Sequence, residues 1–179
     1  MVEVELACLR KRPVSIGRGL YRETFRIGKY AIKVEKLKKD FSKTCTRARE
    51  IYQYNQRIRE KVDFLPAFYG TVLTAKKVDK SWVPVVVSFY EFVPPARLKS
   101  LKDLKQFLEL INKAAKAGYV LDIKPSNFGR RRDKIYYLDE YGLGKGPIPP
   151  DVYEEFLETL KPLLMLKERA GRSRARQSG

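Results

Sequence analysis

The stretch Tyr119-Val120-Leu121-Asp122-Ile123-Lys124-Pro125-Ser126-Asn127-Phe128-Gly129 sets an Asp, a Lys two residues on and an Asn five residues on in one short loop, with a Pro between Lys and Asn. Together they offer a carboxylate to orient a hydroxyl nucleophile, an ammonium for a transferring phosphoryl group and an amide oxygen for Mg²⁺. Twelve residues after Asn127 comes Asp139, at the end of the strand-like apolar run Lys134-Ile135-Tyr136-Tyr137-Leu138. Phosphoryl transfer needs little covalent help from a protein; it needs positioning and neutralisation of phosphate charge. The rest of the chain reads as apparatus for bringing a nucleotide and an acceptor to this loop.

Upstream, residues 14 to 34 read as strand, Gly-rich turn, strand, turn, strand. Gly17-Arg18-Gly19 follows the apolar Val14 and Ile16, and glycines there would let backbone N–H groups close over phosphates. An ordinary hairpin turn is the alternative. Tyr30-Ala31-Ile32-Lys33-Val34 is a strand carrying Lys33, which is either a phosphate ligand or one more lysine in a lysine-rich chain. Residues 43 to 60 show a helical face, with Ala48, Ile51, Tyr52 and Ile58 along it. Thr71 to Thr74 begins another strand, Lys76 to Ser81 reads as a polar turn, and Trp82 to Phe92 is a strongly β-branched and aromatic strand. Glu91-Phe92-Val93-Pro94-Pro95 is a stiff connector.

Leu98 to Ala117 is the clearest helix, with Leu101, Leu104, Leu108, Ile111 and Ala115 at helical spacing and Gly118 as a stop. A short hairpin then turns through Arg131-Arg132-Asp133. A last helix is expected at about 151–169, with Phe156, Leu160, Leu163 and Leu164 inward and a kink at Pro162. The domains expected are residues 1–93, residues 94–168 with the Asp122 loop, and a basic flexible tail from 169 to 179.

The formal charge of the 179 residues is +17, a field that draws polyanions. Cys8 and Cys45 are too few for a disulfide framework or a zinc cluster and read as reduced thiols in a cytoplasmic protein. No signal peptide is legible, and no apolar run approaches the roughly 20 residues of a membrane span. Abundant Lys, Arg, Glu and Tyr, with no His, suit a hyperthermophile.

Taken in order, Gly17/Gly19, Lys33, Glu50, the connector, D-I-K-P-S-N and D-E-Y-G resemble the protein-kinase-like superfamily over residues 14 to about 145. The resemblance implies an α+β, minimal protein-kinase-like bilobal fold: an N-lobe antiparallel sheet with one helix, then a reduced helical C-lobe. It implies ATP and Mg²⁺ as cofactors. Asp122 would orient or deprotonate the acceptor hydroxyl and Lys124 would steady the γ-phosphate. Asn127 and Asp139 would hold the metal, and Lys33, in the V-A-I-K position, would grip the α- and β-phosphates. Glu50 is the candidate partner of Lys33, with Glu60 and Glu35 as rivals. Ile16, Gly17 and Gly19 would cover the nucleotide, and the backbone at Glu91 and Val93 would bond the adenine edge.

Val120-Leu121 replace the His-Arg that precedes the catalytic Asp, Arg22 replaces the third glycine, Tyr141 stands for Phe in D-F-G, and no A-P-E motif exists. The chain is thus similar to a minimal kinase that needs no activation-loop phosphorylation. Its G-x-G-x-x-R loop and L-P-x-F-Y-G-T segment resemble the compact PhoP-network (YrbL-like) kinase-related group. They also resemble the small archaeal RNA kinases, a family that phosphorylates a ribose 2′-hydroxyl in tRNA, a modification linked to thermal stability.

An RNA acceptor needs a cationic surface. Arg47 and Arg49, with Lys36, Lys38, Lys39 and Lys43, cluster near the start of the Glu50 helix; Arg130, Arg131 and Arg132 flank the loop, and Lys145 adds to them. The alternative for this charge is a solvated thermophile surface. Three functions stay open: a monomeric ATP-dependent RNA kinase acting on tRNA, a minimal Ser/Thr protein kinase, and a nucleotide-binding pseudokinase scaffold.

Overall fold

The computed structural model describes residues 11–19, 22–35, 40–97 and 100–139. The chain divides into two compact units, Met1–Val93 and Pro94–Gly179. The architecture is α+β, with a five-stranded antiparallel sheet and one helix in the first unit, as expected. Among the described residues no helix is long and apolar enough to cross a membrane. The expected helix at 151–169, the basic tail and Lys145 lie outside the described residues.

The sheet comprises β1 (Val14–Arg18), β2 (Arg22–Ile27), β3 (Tyr30–Glu35), β4 (Phe68–Val78) and β5 (Ser81–Glu91), in the order β1-β2-β3-β5-β4. Side chains alternate across a strand, and directly paired residues share a face. Ile32 opposite Phe89 therefore falls on one face, and Lys33 opposite Ser88 on the other. On the first, buried Tyr30, Ile32 and Phe89 gather Ile27, Val34, Tyr69, Val72 and Val87.

Helix α1 (Phe41–Lys61) packs against β4 and β5. Its N-cap is Asp40, whose carboxylate accepts the Lys43 N–H at 3.2 Å. That bond holds the Asp40 carboxyl below the usual carboxylate range. Thr44, Ile51, Asn55 and Ile58 form the buried stripe of α1. Asn55 is fully buried but satisfied: its amide donates to Ile51 O at 2.9 Å and to the Tyr90 hydroxyl at 3.1 Å, and its oxygen accepts from Arg59 at 2.6 Å. β4 and β5 run on farther than the polar composition of 76–81 suggests, leaving only Asp79 and Lys80 as the turn. Asp79 takes the left-handed conformation there, φ 53°, which Asp tolerates better than most residues.

The second unit contains helix α2 (Leu101–Lys116) and a hairpin of β6 (Phe128–Arg131) and β7 (Lys134–Tyr137). Ser100 and Asp103 form a reciprocal capping box at the start of α2, and Gly118, at φ 80°, closes its other end. The buried face corrects the expectation from sequence. Asp103, Phe107, Leu110 and Ala114 are inside, while Leu101 and Leu108 are 54% and 50% exposed. Leu104, Leu108, Ile111 and Ala115 each follow a buried residue by one position, a rotation of about 100° around the helix. Two adjacent apolar stripes exist on α2, and the β6–β7 hairpin takes the one carrying Phe107. Phe107, Phe128 and Tyr137 pack edge to face there, at centroid distances of 4.5 and 5.3 Å.

Candidate active site

The Asp122 loop is held from below by that aromatic cluster. The Tyr137 hydroxyl accepts the Asp122 N–H at 3.1 Å, so a side chain on β7 positions the backbone of the candidate catalytic Asp. Leu121 and Ile123 are buried, and the alternating Asp122 and Lys124 are half-buried. The Asp122 carboxylate accepts the Lys124 N–H at 3.3 Å, an Asx-type turn that sets the direction of the chain. A 3-10 turn, Pro125–Asn127, follows, closed by Asn127 N–H to Lys124 O at 2.9 Å.

Asn127 closes the loop. Its amide nitrogen donates to the Asp122 carbonyl at 3.2 Å, which leaves its oxygen as a ligand atom. Its own carbonyl accepts the Leu138 N–H at 2.7 Å, which fixes the strand end one residue before Asp139. Asn127 is thereby tied to the Asp122 main chain by its side chain and to Leu138, the residue before Asp139, by its own carbonyl. Asn127 Oδ1 and the Asp139 carboxylate are hard oxygen donors, few in number. That suits Mg²⁺, which keeps several waters and completes its shell with phosphate oxygens.

In the first unit, Lys33 lies on the α1 side of the sheet with its ammonium 4.8 Å from the centre of the Tyr90 ring. Tyr90 is itself held by Asn55. Glu50, expected to hold Lys33, instead pairs with Arg47 at 3.3 Å and has a side chain 58% exposed. The reason is helical phase: Glu50 precedes Ile51, so one step turns it off the buried stripe to the flank where Arg47 lies. Of its rivals, Glu35 faces Arg22 at 3.6 Å and Arg47 at 3.4 Å, and Glu60 is exposed near the end of α1.

Ile16 is exposed at a bulge between Ser15 and Gly17. The Gly19 N–H is bonded to Arg22 O at 2.8 Å, so that donor serves the hairpin and not a phosphate, contrary to the sequence expectation. Among the described residues a Cβ on Gly17 would meet only the Thr24 Cβ at 3.8 Å, and one on Gly19 only Arg22 O at 3.6 Å, both ordinary contacts. In the connector, the Glu91 N–H goes to Ala67 O and the Phe92 N–H to Lys29 O, both at 2.8 Å. The Phe92 ring is covered by the Arg26 guanidinium at 4.1 Å, and the Val93 side chain is buried.

The cationic candidates divide. Arg49, Arg131 and Arg132 are exposed, Arg132 in a left-handed conformation at the tip of the β6–β7 hairpin. Arg130 is a correction: its guanidinium is bonded to the carboxylate of Asp103, a side chain only 6% exposed, so it fastens the hairpin to α2. Arg47 is likewise engaged by Glu35 and Glu50. Asn55 and Tyr90 beside Lys33 in the first unit, and Asp103 and Tyr137 behind the Asp122 loop in the second, are residues the sequence reading did not select. A buried polar group is visible only once its partners are.

Neither a family model nor a curated protein matches the chain. Among solved structures it is similar to WbdD in a co-crystal with a kinase inhibitor, with a TM-score of 0.46 and 16% identity over 82% of this chain and 36% of that one. It is also similar to a structure of the bifunctional kinase-methyltransferase WbdD, with a TM-score of 0.43 and 14% identity over 80% of this chain and 34% of that one. The chain spans about a third of the length of these proteins.

Proposed function

We propose that this chain is an ATP-dependent phosphotransferase, and that its acceptor is a ribose 2′-hydroxyl of RNA, tRNA foremost. The observation that carries the reading is the Asp122 loop, in which Asn127 bridges the Asp122 carbonyl and the Leu138 N–H. This keeps a carboxylate base, an amide oxygen and, one residue past Leu138, a second carboxylate on one connected segment, which supports a reading of phosphoryl transfer.

Asp122 accepts the acceptor's proton as the hydroxyl oxygen bonds to the γ-phosphorus; the bond from that phosphorus to the β–γ bridging oxygen breaks, and ADP leaves. Lys124 balances charge on the moving phosphoryl group, and Lys33 holds the α- and β-phosphates. Asn127 and Asp139 would hold Mg²⁺, which supplies charge neutralisation at the phosphate oxygens. The main chain at Glu91 and Val93 would take the adenine edge.

The net charge of +17 and the exposed Arg49, Arg131 and Arg132 support RNA as the acceptor. The test is incubation with γ-labelled ATP and total RNA beside total protein. Label is expected in the tRNA fraction and is expected to vanish with Asp122→Ala. Label in protein with RNA unlabelled would replace the acceptor and keep the kinase. Binding of ATP with no transfer to either would leave a scaffold.

A further inference from the structure

The β4–β5 hairpin extends past the part of the sheet that β3 pairs with, and its end carries Trp82, the one tryptophan in the chain, 70% exposed. An exposed Trp forgoes the burial that makes the residue useful in a core. Its surroundings are cationic. Lys77 sits directly opposite Trp82 on β4, on the same face of the hairpin, and Lys80 is in the turn. Lys76 is next in line and reaches Glu23 at 3.7 Å. Among the described residues Lys77 and Lys80 form no ion pair. Asp79 is the one acidic residue in the turn.

We infer that the tip of the β4–β5 hairpin is a stacking contact for a base of single-stranded RNA, with Trp82 as the platform and Lys77 and Lys80 on the flanking phosphates. Single-strand binders combine an aromatic face, which accepts any base, with cations that follow the backbone. Cross-strand neighbours lie close enough for one nucleotide to meet both the ring and the Lys77 ammonium. The inference deepens the RNA reading and rests on it. It adds a contact in the first unit, away from the Asp122 loop in sequence and outside every cluster that the acceptor argument used.

Because Trp82 is the sole tryptophan, its emission reports the contact directly. The full chain is titrated with a single-stranded RNA of roughly 12 nucleotides, and separately with heparin, a polyanion without bases. The single strand is expected to quench the emission strongly and heparin to leave it nearly unchanged. By anisotropy of labelled RNA, Trp82→Ala is expected to weaken binding about tenfold or more, while Trp82→Phe keeps most of the affinity. Lys77→Ala with Lys80→Ala should reduce the salt slope by about two. Equal melting curves for these variants show that the fold is intact.

RNA binding with unquenched Trp82 overturns the inference and leaves the RNA reading standing. Equal quenching by heparin reduces the patch to general charge and overturns stacking. Emission that changes with protein concentration alone assigns the patch to a second copy of the chain. Absence of RNA binding, with transfer to protein, removes both readings together.

Discussion

Gly17 and Lys33 are placed by local geometry, and each makes a separable prediction. No described neighbour blocks a side chain at Gly17, so the fold itself does not demand glycine there. Gly17→Ala is therefore expected to leave the melting temperature unchanged or slightly raised, since Ala restricts the unfolded chain more than Gly does. Its ATP affinity is expected to fall, because the added methyl would keep a phosphate from the backbone; titration with ATP beside a melting curve separates the two effects. Glu50 gives the complementary test. Its pairing with Arg47 is half-exposed, and such pairs contribute about 0–1 kcal/mol. Glu50→Gln should change kcat and the KM for ATP by less than about twofold, whereas Lys33→Ala raises that KM sharply. A large loss on Glu50→Gln would restore it as the partner of Lys33.

At the scale of elements, the hairpin that carries the loop is fastened to α2 at several points. Arg130 bonds Asp103, Gln106 donates to Asp133 O at 2.8 Å, and Lys102 lies 3.6 Å from the Asp133 carboxylate. Asp103 also caps its own helix, so one buried carboxylate serves both elements. Asp103→Ala should cost roughly 1–3 kcal/mol, because it removes the helix cap and one partner of a pair whose Arg130 side is only partly buried. Chemical denaturation measures this directly. The double variant Asp103→Ala with Arg130→Met should recover part of the loss, by replacing an orphaned charge with an apolar side chain. The same elements show why one expectation failed. Periodicity located a helix at 98–117, which the structure has at 101–116, yet two neighbouring apolar stripes lie on it, and only the packing partner selects between them.

For the whole molecule, the excess of positive charge makes the prediction. If the chain meets six to ten phosphates, its RNA affinity should fall by roughly 10³–10⁵ between 50 and 200 mM salt. A slope near zero would mean that the charge is a solvated surface. The order of strands and helices and the closing hairpin were legible in the sequence, whereas the antiparallel sheet with one helix was implied by the kinase resemblance. Strands, helices and hairpin each depend on a period of two or of 3.6 and on stop residues such as Gly118, which are local properties. The spacing of Asp122, Lys124 and Asn127 was legible for the same reason, since one loop holds all three. The engagement of Arg47 by Glu35 and of Arg130 by Asp103, the face on which α2 packs and the support of the loop by Tyr137 were decided by tertiary structure alone. They join residues distant in sequence, and a charge or a polar group takes its role from what lies opposite it in space.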